Sequence, residues 1–250
     1  MKILLVNGNT TQAVTEHCMA EARRHAAPGT FIAGLTATYG ANIVTAEPEN
    51  LVASMAVLDM LAEHHAGYDA AILAISFDSG LFAARDLVPI PVIGMTEAAL
   101  LDAAAHADRI GVLIFGEASA PLYRAQIDRY PMRDKVAAIH VIDVASVSAY
   151  LEATALDQAV LSAVATLRRD TEIEALVICG AAMAGMAERL QPATPVRLFG
   201  GMAPAIAQAE RLGRSPTLEP PPRNVLARSS RVKGLSPMLM ALFEQRNAQG

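Results

Sequence analysis

Ala70-Ala71-Ile72-Leu73-Ala74-Ile75-Ser76-Phe77-Asp78-Ser79-Gly80 reads as a short strand, apolar on both faces, that ends in a polar turn closed by glycine. About a hundred residues later the design returns as Ala175-Leu176-Val177-Ile178-Cys179-Gly180-Ala181-Ala182. The segments that follow are also alike, Pro91-Val92-Ile93-Gly94-Met95 against Pro195-Val196-Arg197-Leu198-Phe199-Gly200-Gly201-Met202. Upstream of each pair lie two more strand candidates, Lys2–Val6 with Thr30–Leu35, and Arg109–Phe115 with Val136–Ile142. Between them run Ala-rich segments with helical spacing: Thr11–His25, Glu49–His65, Thr96–Ala105, Ser119–Tyr130, Val147–Arg169 and Ala203–Leu212. Alternation of buried strands with helices implies parallel sheets, and the repeat implies two related units.

The predicted fold is therefore α/β, with two pseudo-symmetric lobes, each a four-stranded parallel sheet flanked by helices, and the active site in the cleft between them. The first lobe takes residues 1–95 and 200–213, and the second takes 96–199. Residues 214–250 read as a proline-rich arm, carrying Ser215-Pro216 and Glu219-Pro220-Pro221-Pro222, and a final helix from about Ser236 to Gln245. Met238, Leu239, Leu242 and Phe243 form that helix's apolar face, suited to packing on the body or on a second subunit.

Composition narrows the function. Of 250 residues, 53 % are hydrophobic and 18 % charged, enough to build a core. A net charge of −5 with no basic stripe argues against nucleic acid. The apolar runs are strand-sized, which argues against a membrane span, and the opening run stops at Asn7 with no cleavage site after it. Two distant cysteines, Cys18 and Cys179, make no disulfide framework, so the expected location is cytoplasmic.

In open parallel sheets ligands bind beyond the carboxyl ends of the strands. That rule singles out Asn7-Gly8-Asn9-Thr10-Thr11, Ser76–Gly80 and Cys179–Ala182. Asn9 or Thr10 can cap the helix that follows, or Asn7, Asn9, Thr10 and Thr11 can hold a carboxylate or imide. Neither the Rossmann nor the P-loop glycine spacing is present, so no cofactor is expected. Cys179, placed just before an expected helix N-terminus, should have a lowered pKa and act as a thiolate; the alternative is a small buried hydrophobe. Cys18 reads as core filler. Ser76 and Ser79 are candidate oxyanion donors or turn residues, and Asp78 a candidate cap for the helix after Gly80. The six histidines make no ligand pattern, with His64-His65 at a helix end and His140 in a strand, so no metal is expected.

These segments, taken in order, resemble the aspartate/glutamate/hydantoin racemase superfamily. Asn7-Gly8-Asn9-Thr10-Thr11 is similar to the Asn-Pro-Asn-Thr/Ser-Ser/Thr opening of hydantoin and allantoin racemases. Tyr39-Gly40-Ala41-Asn42-Ile43 resembles their Gly-Pro-x-Ser-Ile, and Phe77–Arg85 their Asp-Pro-Gly-Leu-x-Ala-Ala-Arg. Pro91–Ala99 resembles Pro-Val-Ile-Gly-x-x-Glu-Ala-Ala, and Glu174–Ala184 their second catalytic strand. The resemblance spans Met1 to Gly213. It implies two lobes and two cysteines that flank the substrate and shuttle a proton. Here Ser76 stands at the first cysteine position if one residue is deleted, or Ile75 if none is, while Cys179 precedes the second position, Gly180, by one residue. A lone Cys179-Gly180 is similar to arylmalonate decarboxylase, whose Ser/Thr hydroxyls stabilise an enediolate; Ser76 and Ser79 can play that part.

The expected function is cofactor-independent racemase or isomerase chemistry at the carbon next to a carbonyl. The substrate is a small carboxylate, an amino-acid derivative or a cyclic amide such as a hydantoin. Cys179 and Ser76 are the catalytic candidates. Asn7, Asn9, Thr10, Thr11, Phe77, Asp78, Ser79 and Gly80 hold substrate, and the amides of Gly180 and Ala181 face the enolate. The alternatives are a single-cysteine decarboxylase, a hydrolase or lyase with Cys179 as nucleophile, and a non-catalytic ligand-binding descendant. A homo-oligomer is expected from the C-terminal arm.

Overall fold

Ile3, Leu4, Leu5 and Val6 are buried on both faces because their strand, β1 (Lys2–Asn7), lies inside a sheet with helices above and below. The computed structural model describes residues 1–144, 152, 154–214 and 233–248. After β1 come α1 (Gln12–His25), β2 (Phe31–Thr36), α2 (Glu47–His64), β3 (Ala70–Leu73), α3 (Leu81–Leu87), β4 (Val92–Gly94) and α4 (Met95–Ala104). The second half runs β5 (Ile110–Phe115), α5 (Ala120–Ile127), β6 (Val136–Ile142), α6 (Asp157–Thr171), β7 (Ala175–Ile178), α7 (Met186–Leu190), β8 (Arg197–Phe199) and α8 (Met202–Gly213). A last helix, α9, spans Pro237–Ala248.

Among the described residues the strands form two four-stranded sheets, ordered β2-β1-β3-β4 and β6-β5-β7-β8, with every pairing parallel. The expected α/β architecture of two similar parallel sheets is thus present. In each, the chain reverses direction beside the first strand, so the loops after β1 and β3, and after β5 and β7, flank a crevice at the carboxyl ends. Ser76 and Cys179 follow equivalent strands.

Both β3 and β7 end earlier than the apolar runs suggest, since β4 and β8 are only three residues long. The ladder to the central strand continues a step further, through Ala74 N to Val6 O at 2.8 Å and Cys179 N to Leu113 O at 2.9 Å. Helix α2 starts at Glu47, before the expected Glu49, with Pro48 in its first turn, where its missing N–H costs nothing. The segment expected to be helical to Tyr130 ends as α5 at Ile127, and Tyr130 sits in the turn beyond, its N–H on Ile127 O. The first part of the expected Val147–Arg169 helix, 147–151 and 153, and the prolines at 216 and 220–222 lie outside the described residues.

One apolar core runs through both lobes, joining Leu4, Val6 and Leu73 of the first sheet to Ile110, Val112 and Val177 of the second. Helix α8 packs on α1, α4, β3 and β4. Helix α9 rests on α2 and α3 through Leu239, Leu242 and Phe243. Met238, expected on that apolar face, is instead 51 % exposed, being turned about 100° round the helix from its buried neighbour Leu239. No described helix is long and apolar enough to cross a membrane.

Candidate active site

At the end of β3 the chain turns sharply: Asp78 has a positive φ of 45° and Gly80 one of 77°. The turn throws the Asp78 carboxylate onto the start of α4, where Oδ1 accepts Thr96 N–H at 3.2 Å and Oδ2 accepts Glu97 N–H at 2.9 Å. Asp78 therefore caps α4. The expectation that it caps the helix after Gly80 is wrong, since only its carbonyl reaches back, to Leu81 N. Gly94 precedes α4 and has no side chain to cap it; a Cβ there would stand 2.4 Å from the Asp78 carboxylate. Glu97 is held in turn by Arg85, whose Nη1 and Nη2 grip both carboxylate oxygens while its Nε donates to Val92 O at 2.9 Å.

Ser76 stands two residues before that carboxylate and is one point where the lobes touch. Its Oγ accepts the Gly180 N–H at 2.8 Å and the Tyr123 O–H at 2.7 Å, both from the second lobe. Thr96 spends its proton on Ser76 O at 2.6 Å, so Ser76's own proton is left for Thr96 Oγ1, 3.1 Å away, or for the Cys179 sulfur. The Thr96 and Ser76 hydroxyls lower the pKa of that sulfur, against the effect of its burial. Ser76, Cys179 and Gly180 are thus brought together across the interface of the two lobes.

The thiol is not the thiolate expected. Cys179 is 2 % exposed, and burial pushes it up to about 12, with the Asp78 carboxylate nearby adding to the effect and the two hydroxyls opposing it. A long helix with free amides does not follow it. The segment Ala181–Met183 is one turn of 3-10 helix, too short for an appreciable dipole, and Gly180 N–H is already engaged by Ser76. Cys18 is core filler as expected, fully buried, with its Sγ–H on Ala181 O at 3.3 Å across the lobe boundary. Burial raises it also to about 12.

The loop after β1 satisfies itself. Asn7 Nδ2 donates to Asn9 Oδ1 and Thr15 Oγ1, both at 3.0 Å, and Asn7 Oδ1 accepts Asn9 N–H at 3.1 Å. Thr11 is the N-cap of α1, with its side chain turned to Asn42 O at 2.7 Å, and Asn9 Oδ1 accepts Thr11 N–H at 3.0 Å. Thr10 is tied through its N–H to Ala41 O at 3.0 Å. These hydrogen bonds stay within the loop and its neighbours and do not run to Cys179. Ser79 also points elsewhere: its hydroxyl donates to Asn50 Oδ1 at 2.7 Å, on α2.

Beside the junction lies a cavity of about 330 Å³, within the range of small-molecule sites. Phe77, Asp78, Ser79 and Gly80 form one wall, α2 contributes Asn50 and Ser54, and the second lobe contributes Leu122, Gln126, Arg129 and Tyr130. Phe77 packs on Tyr123 with ring centroids 4.5 Å apart. Tyr130 O–H donates to Asp78 Oδ2 at 2.6 Å. Burial lifts the Asp78 carboxyl to about 7, although Tyr130 and the two amides pull it down.

Thr96, Tyr123, Gln126 and Tyr130 are absent from the residues read off the sequence. Thr96 was detectable, since it follows the fourth strand at a helix start, where the same strand-end rule applies. Tyr123 and Tyr130, seven apart, fall on one face of the helix expected from the sequence, but only folding shows what they meet.

Comparison with known proteins agrees with this geometry. Residues 3–209 match the family model described as Asp/Glu/Hydantoin racemase. The chain is 28 % identical over 218 residues to a hydantoin racemase of Rhizobium meliloti, covering 85 % of this chain and 88 % of that protein. The structure of an allantoin racemase from Pseudomonas fluorescens superposes with a TM-score of 0.80 at 29 % identity, over 90 % of this chain and 99 % of that one. One from Klebsiella pneumoniae gives a TM-score of 0.80 at 29 % identity, over 85 % and 87 %. With two like sheets meeting at the ends of β3 and β7 and the family match running through both, the chain belongs to the Asp/Glu/Hydantoin racemase family.

Proposed function

We propose that the chain is an isomerase, a cofactor-independent racemase of cyclic ureides of the hydantoin and allantoin type. Family membership and the similarity to hydantoin and allantoin racemases support the substrate class. The observation that carries the mechanism is the meeting of Ser76 with Cys179 and Gly180 across the lobe boundary, because racemisation needs proton transfer on opposite faces of one carbon.

A gap of 2.8 Å between Ser76 Oγ and Gly180 N admits no ring, so substrate enters by parting the lobes at this contact. Parting also wets the sulfur. Since burial is the largest cause of the raised Cys179 pKa, opening lowers it. The α-proton then passes to Cys179 Sγ, leaving an enolate whose oxygen takes the freed Gly180 N–H. Ser76 returns a proton to the opposite face and, parted from Tyr123, is resupplied from solvent. The cycle closes when the thiol releases its proton to solvent.

The test is incubation of one enantiomer of a 5-substituted hydantoin in deuterated water, followed by optical rotation and proton NMR. The wild type is expected to racemise and exchange the α-proton, and Cys179→Ala to lose about 100-fold or more of that rate. Undiminished exchange in the variant overturns the role of Cys179. A substrate-mass adduct on Cys179 in quenched enzyme points instead to covalent hydrolysis.

Two free cysteines, both buried, support a reducing compartment, the cytoplasm. Leu51, Val52 and Met55, exposed together on α2 near Tyr39, support a homo-oligomer.

A further inference from the structure

We propose that Gln126 selects the substrate by accepting a hydrogen bond from an N–H on the group carried by the reacting carbon, so that the site prefers ureido or carbamoyl substituents to hydrocarbon ones. The inference rests on the racemase reading and adds to it the residue that discriminates among ureides. Proton counting fixes the amide. Tyr130 has one proton and gives it to Asp78 Oδ2 at 2.6 Å, so its oxygen can only accept from Gln126, 2.7 Å away. Gln126 must therefore present Nε2 to Tyr130, and Nε2 also reaches towards Ser76 O at 3.5 Å. Its Oε1 is turned the other way. That oxygen is closed to solvent and has no hydrogen-bond partner among the described residues.

An acceptor left in that state is unusual in a native fold and calls for an explanation. Gln126 lines the cavity, and recognition requires its amide to tilt about the bond to Tyr130 so that Oε1 meets an occupant. On the facing wall, Ser79 O–H holds Asn50 Oδ1 at 2.7 Å, which leaves Asn50 Nδ2 as the donating side, with one N–H towards Glu47 Oε2 at 3.4 Å and the other for an occupant. An acceptor from one lobe and a donor from the other match the N–H and C=O of a urea or amide. A hydrocarbon substituent leaves Gln126 Oε1 orphaned. A site built to receive a polar group rejects an analogue lacking it far better than an apolar pocket rejects a hydroxyl.

The experiment measures kcat and KM for allantoin, whose substituent is a ureido group, and for 5-isobutylhydantoin, with wild type and Gln126→Met. Wild type is expected to favour allantoin. In the variant kcat/KM for allantoin falls at least about tenfold further than kcat/KM for the isobutyl compound, mostly through KM. Allantoin methylated on its ureido nitrogens, offered to the wild type, reproduces the loss without altering the protein. Equal loss on both substrates, no loss on either, or indifference to methylation overturns the proposal. Should the wild type racemise neither compound, the racemase reading fails by itself. Calorimetric binding of the same three ureides then decides the role of Gln126: a preference for allantoin lost in Gln126→Met upholds it, and equal binding overturns it.

Discussion

Tyr130, in the turn after α5 of the second lobe, hydrogen-bonds at 2.6 Å to Asp78, the residue that caps α4 from the first lobe. One carboxylate thus ties together a strand end, a helix start and the opposite lobe. The site's geometry depends on how that carboxylate is held.

Tyr130→Phe removes the cross-lobe bond and leaves Gln126 Nε2 without its acceptor. The variant is expected to lose about 1–3 kcal/mol of stability, read from the urea midpoint at unchanged slope. A variant as stable as the wild type removes the tie from the account of the interface.

The Asp78 carboxyl rises from 3.8 in the unfolded chain to about 7 in the fold, chiefly through burial. Between those values the folded protein binds the extra proton, so this group's stabilising contribution is complete below about pH 4 and is lost as pH rises through 7. Comparing urea midpoints of wild type and Asp78→Asn across that window isolates the effect. The wild type is expected to lose ground to the variant as pH rises. If it gains instead, Asp78 is ionised throughout.

Both thiols are held at about 12 by burial, so neither is a thiolate near neutral pH in the closed protein. A disulfide reagent at pH 8 should react slowly with the native chain and with two sulfurs at once after unfolding. Ligand that parts the lobes should speed the reaction of Cys179, an increment lost in Cys179→Ala. Prompt reaction of the unliganded native protein contradicts the closed junction.

Gly94→Ala places a methyl 2.4 Å from the Asp78 carboxylate, which cannot retreat without uncapping α4. A loss of about 2–3 kcal/mol is expected by thermal or urea unfolding. At Gly67, with nothing within 4 Å of the added methyl, only its positive φ of 85° is strained, and alanine should cost about 1–2 kcal/mol. Equal costs at the two sites mean that the clash at Gly94 is relieved elsewhere.

Patterns that repeat along the chain carried the architecture. The unbroken apolar runs at Ala70–Leu73 and Ala175–Ile178 can be buried only inside sheets covered on both sides, and their recurrence announced two like lobes. Position at a strand end likewise singled out Ser76 and Cys179. The same local reasoning misjudged Asp78, whose charge serves a helix nearly twenty residues away, and Cys179, whose acidity is set by what closes over it.

Backbone periodicity and strand-end position are local properties, so the amino-acid order alone determined the sheets, the repeat and the neighbourhood of the site. Hydrogen-bond partners and desolvation are properties of the packed interior. Only the folded chain brings Gly180 and Tyr123 onto Ser76, Tyr130 onto Asp78 and Gln126 onto Tyr130, and only burial holds the sulfur protonated.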